Sequence, residues 1–297
     1  MLTPGLALRF VDDSPLGELW RAGPRERGAL AGLLRPLGYE AVELEAAHLE
    51  RLGGETGGLQ SLRTELDSAG LAVSAVSAGS EQREGAELAR EIGARSLHLS
   101  PDGFAPVTAE NERALVARLA EYWKHVISVA DTHHVRVYWD PWHSPPEHTS
   151  SVVEQVLSIV DDPSFGIVFD TGDAESLARR TTHEVVLEGR RLTGALGLLE
   201  RFKGSIGAVR LSEPPSSADG LPPALGRGGL DWGRLLPALV DAWIPARWWT
   251  IDVGCHDISF AREAAQFFES RVLPLYPETI ATASRGAGPD APARTTS

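Results

Sequence analysis

Three short apolar runs in the second half of the chain each end in an aspartate: VYWD at Asp140, GIVFD at Asp170 and WWTID at Asp252. Acids dropped at random on a surface would not close three apolar runs in this way. A carboxyl at the end of a buried run can take or return a proton, so these positions point to general acid–base chemistry. Beside them stand His143, Asp173, Glu213 and His256, and a seventh run, IGAVRL, carries Arg210. Its guanidinium offers fixed paired donors to an enolate, a carboxylate or a phosphate. The catalytic candidates are therefore Asp140, Asp170, Arg210, Asp252 and His143. Asp170 or Asp140 is the expected base and His143 or Glu213 the partner acid. Glu43, His98, Trp139, Trp142, Asp173, Glu213 and His256 are the expected substrate contacts, with Glu45 and Asp102 nearby in sequence. The tryptophans would stack on a sugar face or an aromatic ring; for Trp248 and Trp249, packing is the competing role. Glu43 is equally suited to a salt bridge inside a barrel. His133 and His134 read as a helix end, His48 and His125 as surface residues, and Cys255 as a small buried thiol. His183-Glu184 lacks the second histidine of a zinc-protease pair.

Positioning these groups falls to a regular alternation of elements. Apolar runs at 6–10, 41–44, 72–76, 96–99, 135–139, 166–169, 206–211 and 247–251 have strand length. Amphipathic stretches at 25–37, 59–69, 84–92, 110–132, 151–160, 186–202, 233–243 and 260–273 fall between them. Gly38, Gly70 and Gly93 follow the first three helical stretches and supply left-handed caps. Eight strand–helix units fit a closed (β/α)8 TIM barrel, an α/β fold whose chemistry sits at the C-terminal ends of its strands. No G-x-G-x-x-G follows the first strand, so no nucleotide cofactor is expected. The barrel should occupy residues 1–278 as one domain, followed by a disordered tail at 279–297. The Pro-, Gly- and Ser-rich segment 214–229 is expected to be a mobile lid.

Composition narrows the partners. Forty-one acidic against 28 basic residues give a net charge of −13, and the basic residues are scattered. A nucleic-acid partner is not expected, because phosphate backbones are met by basic stripes. A single cysteine excludes an internal disulfide framework and multi-cysteine zinc sites. No apolar run reaches the roughly 18 residues of a membrane span, and no signal-peptide pattern opens the sequence. A cytoplasmic protein acting on a small molecule is expected.

The segment 135–174, VRVYWDPWHSPPEHTSSVVEQVLSIVDDPSFGIVFDTGDA, resembles the xylose isomerase-like barrel superfamily. GYEAVEL at 38–44 and LGRGGLDWGRLLPAL at 225–239 resemble its second strand and seventh loop and helix. The superfamily includes sugar isomerases, inosose dehydratases, ketose epimerases and endonuclease IV. The resemblance implies proton transfer next to a carbonyl on a small polyol, sugar or keto acid; a catalytically degenerate or repurposed binding barrel is the alternative. The endonuclease reading lacks the histidines of its zinc cluster. A homodimer is compatible with the resemblance. Family members hold a divalent ion through Glu, Asp, His and Glu on strands 5 to 8. The matching positions here are Asp140, Asp170, Arg210 and Asp252, with Asp173 in place of a motif histidine. Arginine has no lone pair to give and stays protonated. A guanidinium about 4 Å from a divalent ion is repelled by roughly 8 kcal/mol at an effective dielectric of about 20. The expectation is no metal, or a weakly bound Mg²⁺ or Mn²⁺ on Asp140, Asp170 and Asp252, helped by His143 or His256. Arg210 should instead pair with Asp170 or Asp252.

Overall fold

A computed structural model describes residues 3–10, 15–54, 57–79, 82–100, 110–142, 149–181, 184–187, 189–215, 222–252 and 257–276. The barrel strands are β1 (Gly5–Arg9), β2 (Tyr39–Glu45), β3 (Ala72–Ala78), β4 (Ser96–Leu99), β5 (Arg136–Trp139) and β6 (Phe165–Asp170). After β7 (Glu184–Leu187) and β8 (Arg190–Thr193), which lie outside it, the barrel resumes with β9 (Ile206–Leu211) and β10 (Trp248–Ile251). It closes in the order β1-β10-β9-β6-β5-β4-β3-β2 with every pairing parallel, the (β/α)8 architecture read from the alternation.

The helices are α1 (Pro15–Arg21), α2 (Pro24–Leu34), α3 (Ala46–Gly53), α4 (Gly58–Ala69), α5 (Gln82–Ile92) and α6 (Glu112–Thr132). They continue with α7 (Thr149–Val160), α8 (Thr171–Thr181), α9 (Gly194–Phe202), α10 (Trp232–Asp241) and α11 (Ile258–Phe267). Side chains alternate across each strand, so Leu6, Leu8, Leu97 and Val137 enter the large core shared with the helices. A small apolar cluster inside the barrel, Tyr138, Val168 and Ala208, is separate from that core. The buried inward positions also include Glu43, His98, Asp140, Asp170 and Arg210, where the candidate site is built. Gly38, Gly70 and Gly93 take φ values of 93°, 69° and 83°, as the caps require.

The sequence reading differs from the fold in a few places. The short helices α1 and α3 lie in stretches where no helix is expected. The segment 186–202 is not one helix: β7 and β8 form an antiparallel hairpin before α9. EVV and RRLT carry strand-forming residues around Gly189, whose φ of 78° makes the turn. His48 is buried rather than on the surface. Among the described residues no helix is long and apolar enough to cross a membrane.

Candidate active site

Arg210, near the end of β9, points into the barrel and is 1% exposed. Its Nη2 donates to Glu43 Oε1 at 2.5 Å, its Nε reaches Glu43 Oε2 at 3.4 Å, and its Nη1 donates to Asp140 Oδ2. Ser77 Oγ donates to Glu43 Oε1 at 2.5 Å, and His98 Nδ1 lies 3.4 Å from that oxygen. Burial opposes both charges, yet Arg210, His98 and Arg9 hold the Glu43 carboxyl well below its usual range. Burial likewise opposes the guanidinium, but Glu43 and Asp140 hold Arg210 well above its ordinary value. The pair is thus ionised, buried and mutually neutralised.

Above this layer lies a second guanidinium. Arg9, closing β1, donates through Nη1 to Asp252 Oδ2. Its Nε is 3.7 Å from Glu43 and its Nη2 3.9 Å from Glu45, and it is 17% exposed. Burial would raise the Asp252 carboxyl, but Arg9 and Arg210 bring it below its ordinary value. Sequence reasoning missed Arg9. The available signal was a charged residue ending the first apolar run, LALRF, where the other strand ends had already drawn notice.

Asp170 is built differently. The last residue of β6, it turns onto the first turn of α8. Its Oδ1 accepts from Gly172 N at 3.0 Å, Asp173 N at 3.1 Å and Ser212 Oγ. Oδ2 accepts no hydrogen bond among the described residues. Burial, with the charges of Asp173 and Asp252, pushes Asp170 up to about 8 against the pull of those hydrogen bonds. Burial, Asp140 and Asp252 likewise push Asp173 up to about 7. One end of the barrel therefore holds two carboxyls that exchange protons near neutral pH.

The structure brings Glu43, His98, Asp140 and Arg210 into one buried layer, with Asp170, Asp173 and Asp252 beside it. Arg210 pairs with Glu43 and Asp140 rather than with Asp170 or Asp252. The reason is that Ser212 and the α8 backbone engage Asp170, while Arg9 takes Asp252. Trp139 and Trp142 do not line the interior. Trp139 packs on Trp123, and Trp142 donates to the Val168 carbonyl at 2.6 Å between Phe169 and Phe202. Trp249 packs against Phe268 and Tyr276, while Trp248 opens β10 at the opposite mouth of the barrel. Glu213 is a tether: it accepts from Gly226 N at 2.8 Å, Leu230 N at 3.4 Å and Trp232 Nε1 at 2.5 Å. The described part of the expected lid is thus fastened to the end of β9. His143, His256, Asp102, Cys255, residues 216–221 and the tail lie outside the described residues.

The divalent ion implied by the resemblance does not suit this donor set. Asp140 and Asp252 each already hold a guanidinium, and the anchored oxygen of Asp170 is filled by three donors. Among the described residues no three His, Cys, Asp or Glu side chains are grouped to hold an ion. A cation entering between the aspartates would meet Arg9 and Arg210, each repelling it by roughly 8 kcal/mol at about 4 Å.

No curated protein matches the sequence. Among solved structures, the probable 3-DHS dehydratase AsbF of Bacillus anthracis superposes with a TM-score of 0.65 at 13% identity, covering 90% of this chain and 99% of that one. The 3-keto-D-glucoside 4-epimerase YcjR of E. coli gives 0.62 at 12% identity, with 90% and 99% covered. A xylose isomerase-like TIM barrel protein of Mycobacterium smegmatis, solved in complex with magnesium, gives 0.66 at 14% identity, with 92% and 98% covered. At such identities the likeness is one of fold. The family described as xylose isomerase-like TIM barrel matches residues 32–271, most of the chain, and the protein belongs to that family.

Proposed function

We propose that this barrel moves a proton at a carbon next to a carbonyl, isomerising, epimerising or dehydrating a small neutral polyol or keto sugar without a bound metal ion. The observation that carries this reading is the division of labour within Asp170. Three donors fix Oδ1, and Oδ2 is left to face a substrate. Asp170 and Asp173 share protons near neutral pH; in the form with Asp170 ionised and Asp173 protonated, Asp170 takes the proton from the C–H bond, the electron pair moves onto the carbonyl oxygen, and Asp173 returns a proton. Arg9, partly exposed at the rim, is the cation available to that developing oxyanion. Arg210 is not, since its donors are spent on Glu43 and Asp140. It keeps Glu43 ionised and holds both acids in place.

Charge selects the substrate class. Arg9 and Arg210 face Glu43, Asp140 and Asp252, and Asp170 and Asp173 can only add to the negative charge as they ionise. The site is net negative, which disfavours sugar phosphates and keto acids and favours a neutral hydroxylated compound.

Deuterium exchange at the acidic carbon of neutral keto sugars in D2O tests the reading. Chelator-treated protein should catalyse exchange, and Asp170→Asn should slow it by about 10²–10⁴-fold while leaving ligand binding measurable. Exchange that requires stoichiometric Mg²⁺, Mn²⁺ or Zn²⁺ would refute the metal-free mechanism. The sealed ion-pair layer also suits a non-catalytic binding barrel; a wild-type protein that binds such compounds yet never exchanges them establishes that alternative.

A further inference from the structure

The opposite mouth of the barrel, at the N-terminal ends of the strands, opens into a cavity of about 370 Å³. Arg95, Arg136, Arg247 and His134 line it, and no acidic side chain does so among the described residues. This is unusual for a chain of net charge −13. Arg95 precedes β4, Arg136 opens β5 and Arg247 precedes β10, so the closed sheet places all three at the same mouth. None of the three has an ion-pair partner among the described residues. Arg247 instead lies 4.4 Å from the centre of the Trp248 ring, which orients its guanidinium without neutralising it. Glu40 comes near Trp248 over Gly5, but it is not part of the lining.

Deeper in, the walls carry hydroxyls and small residues: Ser74, Ser96, Tyr138 and Thr250, with Gly207 and Ala208. His98 closes the inner end, its Nε2 3.5 Å from Ser96 Oγ and its Nδ1 turned toward Glu43. The cavity thus stops at the ion-pair layer and is separate from the aspartates at the far end. His134 takes a φ of 59° where α6 ends, with Val135 N bonded back to the Ala130 carbonyl at 3.1 Å, so the helix cap sets its place beside the cavity.

We propose that this mouth is a second binding site, which takes the phosphoryl dianion of a small hydroxylated phosphate ester on Arg95, Arg136 and Arg247. Planar guanidiniums grip phosphoryl oxygens in pairs, and the hydroxyls below suit a short polyol body. The volume lies in the range of small-ligand sites, which run from about 300 to 1,000 Å³.

The test is calorimetric titration of the full chain with glycerol 1-phosphate, inorganic phosphate and glycerol. An ionic strength of about 0.1 M limits repulsion from the rest of the acidic molecule to about 10 Å. The ester should saturate with a Kd of about millimolar or below, inorganic phosphate should bind more weakly, and glycerol should not bind. Arg136→Gln and Arg247→Gln should each weaken the ester about tenfold and the double variant about a hundredfold, since each removes charged hydrogen bonds. Asp170→Asn should bind the ester like the wild type. Absence of saturable ester binding would overturn the proposal, as would binding that survives the double variant or is lost in Asp170→Asn. Inorganic phosphate binding as tightly as the ester would assign the site to the free ion and remove the ester from it.

Discussion

Two buried groups in this barrel differ in what surrounds their charge, and that difference separates catalysis from support. Asp170 is held by neutral donors on one oxygen and crowded by Asp173 and Asp252, so its proton is exchangeable. Arg210 is enclosed by two carboxylates and is fixed as a cation. Removing that cation would leave Glu43 and Asp140 buried without the counter-ion they share. Arg210→Met should therefore destabilise the protein by about 3–5 kcal/mol, read from urea unfolding at neutral pH. Adding Glu43→Gln should restore part of the loss, since fewer buried charges then lack a partner. A single variant as stable as the wild type would show that the guanidinium is not the counter-ion described.

The elements around the site are joined where β6 and β9 run side by side. Gly172, in the first turn of α8, lies so close to the end of β9 that an added Cβ would overlap Ser212 Oγ and the Glu213 backbone. Gly172→Ala should push α8 away, cost about 1–3 kcal/mol and break the backbone hydrogen bonds that hold Asp170. The expected result is lost deuterium exchange together with a lower urea midpoint. Glu213 fastens the next segment at its buried carboxylate. Glu213→Ala leaves those donors unsatisfied, at a cost of about 1–3 kcal/mol, and should speed amide exchange at Gly226 and Leu230. Unchanged protection there would rule out the tether. Sequence periodicity made the eight barrel strands legible because each run must be apolar on its outward face to meet the helices. It could not show that Glu213 turns to its own loop, nor that Trp139 and Trp142 face outward. Those outcomes depend on register, and a one-residue change moves a side chain between the interior and the helix layer. The ion-pair partners were illegible for the same reason: Arg9, Glu43 and Arg210 meet only when β1, β2 and β9 converge across the closed barrel.

At the scale of the whole molecule, the site leaves a mark on stability as a function of pH. Glu43 and Asp252 have carboxyl pKa values lowered by folding, so their stabilisation is present above the unfolded range near 4 and is lost on acidification. Asp170 and Asp173 behave in the opposite way. Their folded values of about 8 and about 7 lie above the unfolded value of 3.8, so the native state holds protons that the unfolded chain has released. Their contribution is complete below about 4 and falls as pH rises through 7 and 8. The two groups of acids together place maximum stability on the mildly acidic side, followed by a decline toward pH 8–9. General repulsion within a chain of net charge −13 would also oppose folding, but it responds to salt and is common to the wild type and to a variant that changes one acid. Asp170→Asn separates the two causes. Its side-chain oxygen still accepts from Gly172, Asp173 and Ser212, but the charge is gone. Urea midpoints measured from pH 5 to pH 9 should fall for the wild type and fall much less for this variant, with the largest gap above pH 8. Parallel profiles for the two proteins would mean that Asp170 does not hold its proton into the neutral range, and the proton-sharing pair assigned to the reaction would have to be abandoned.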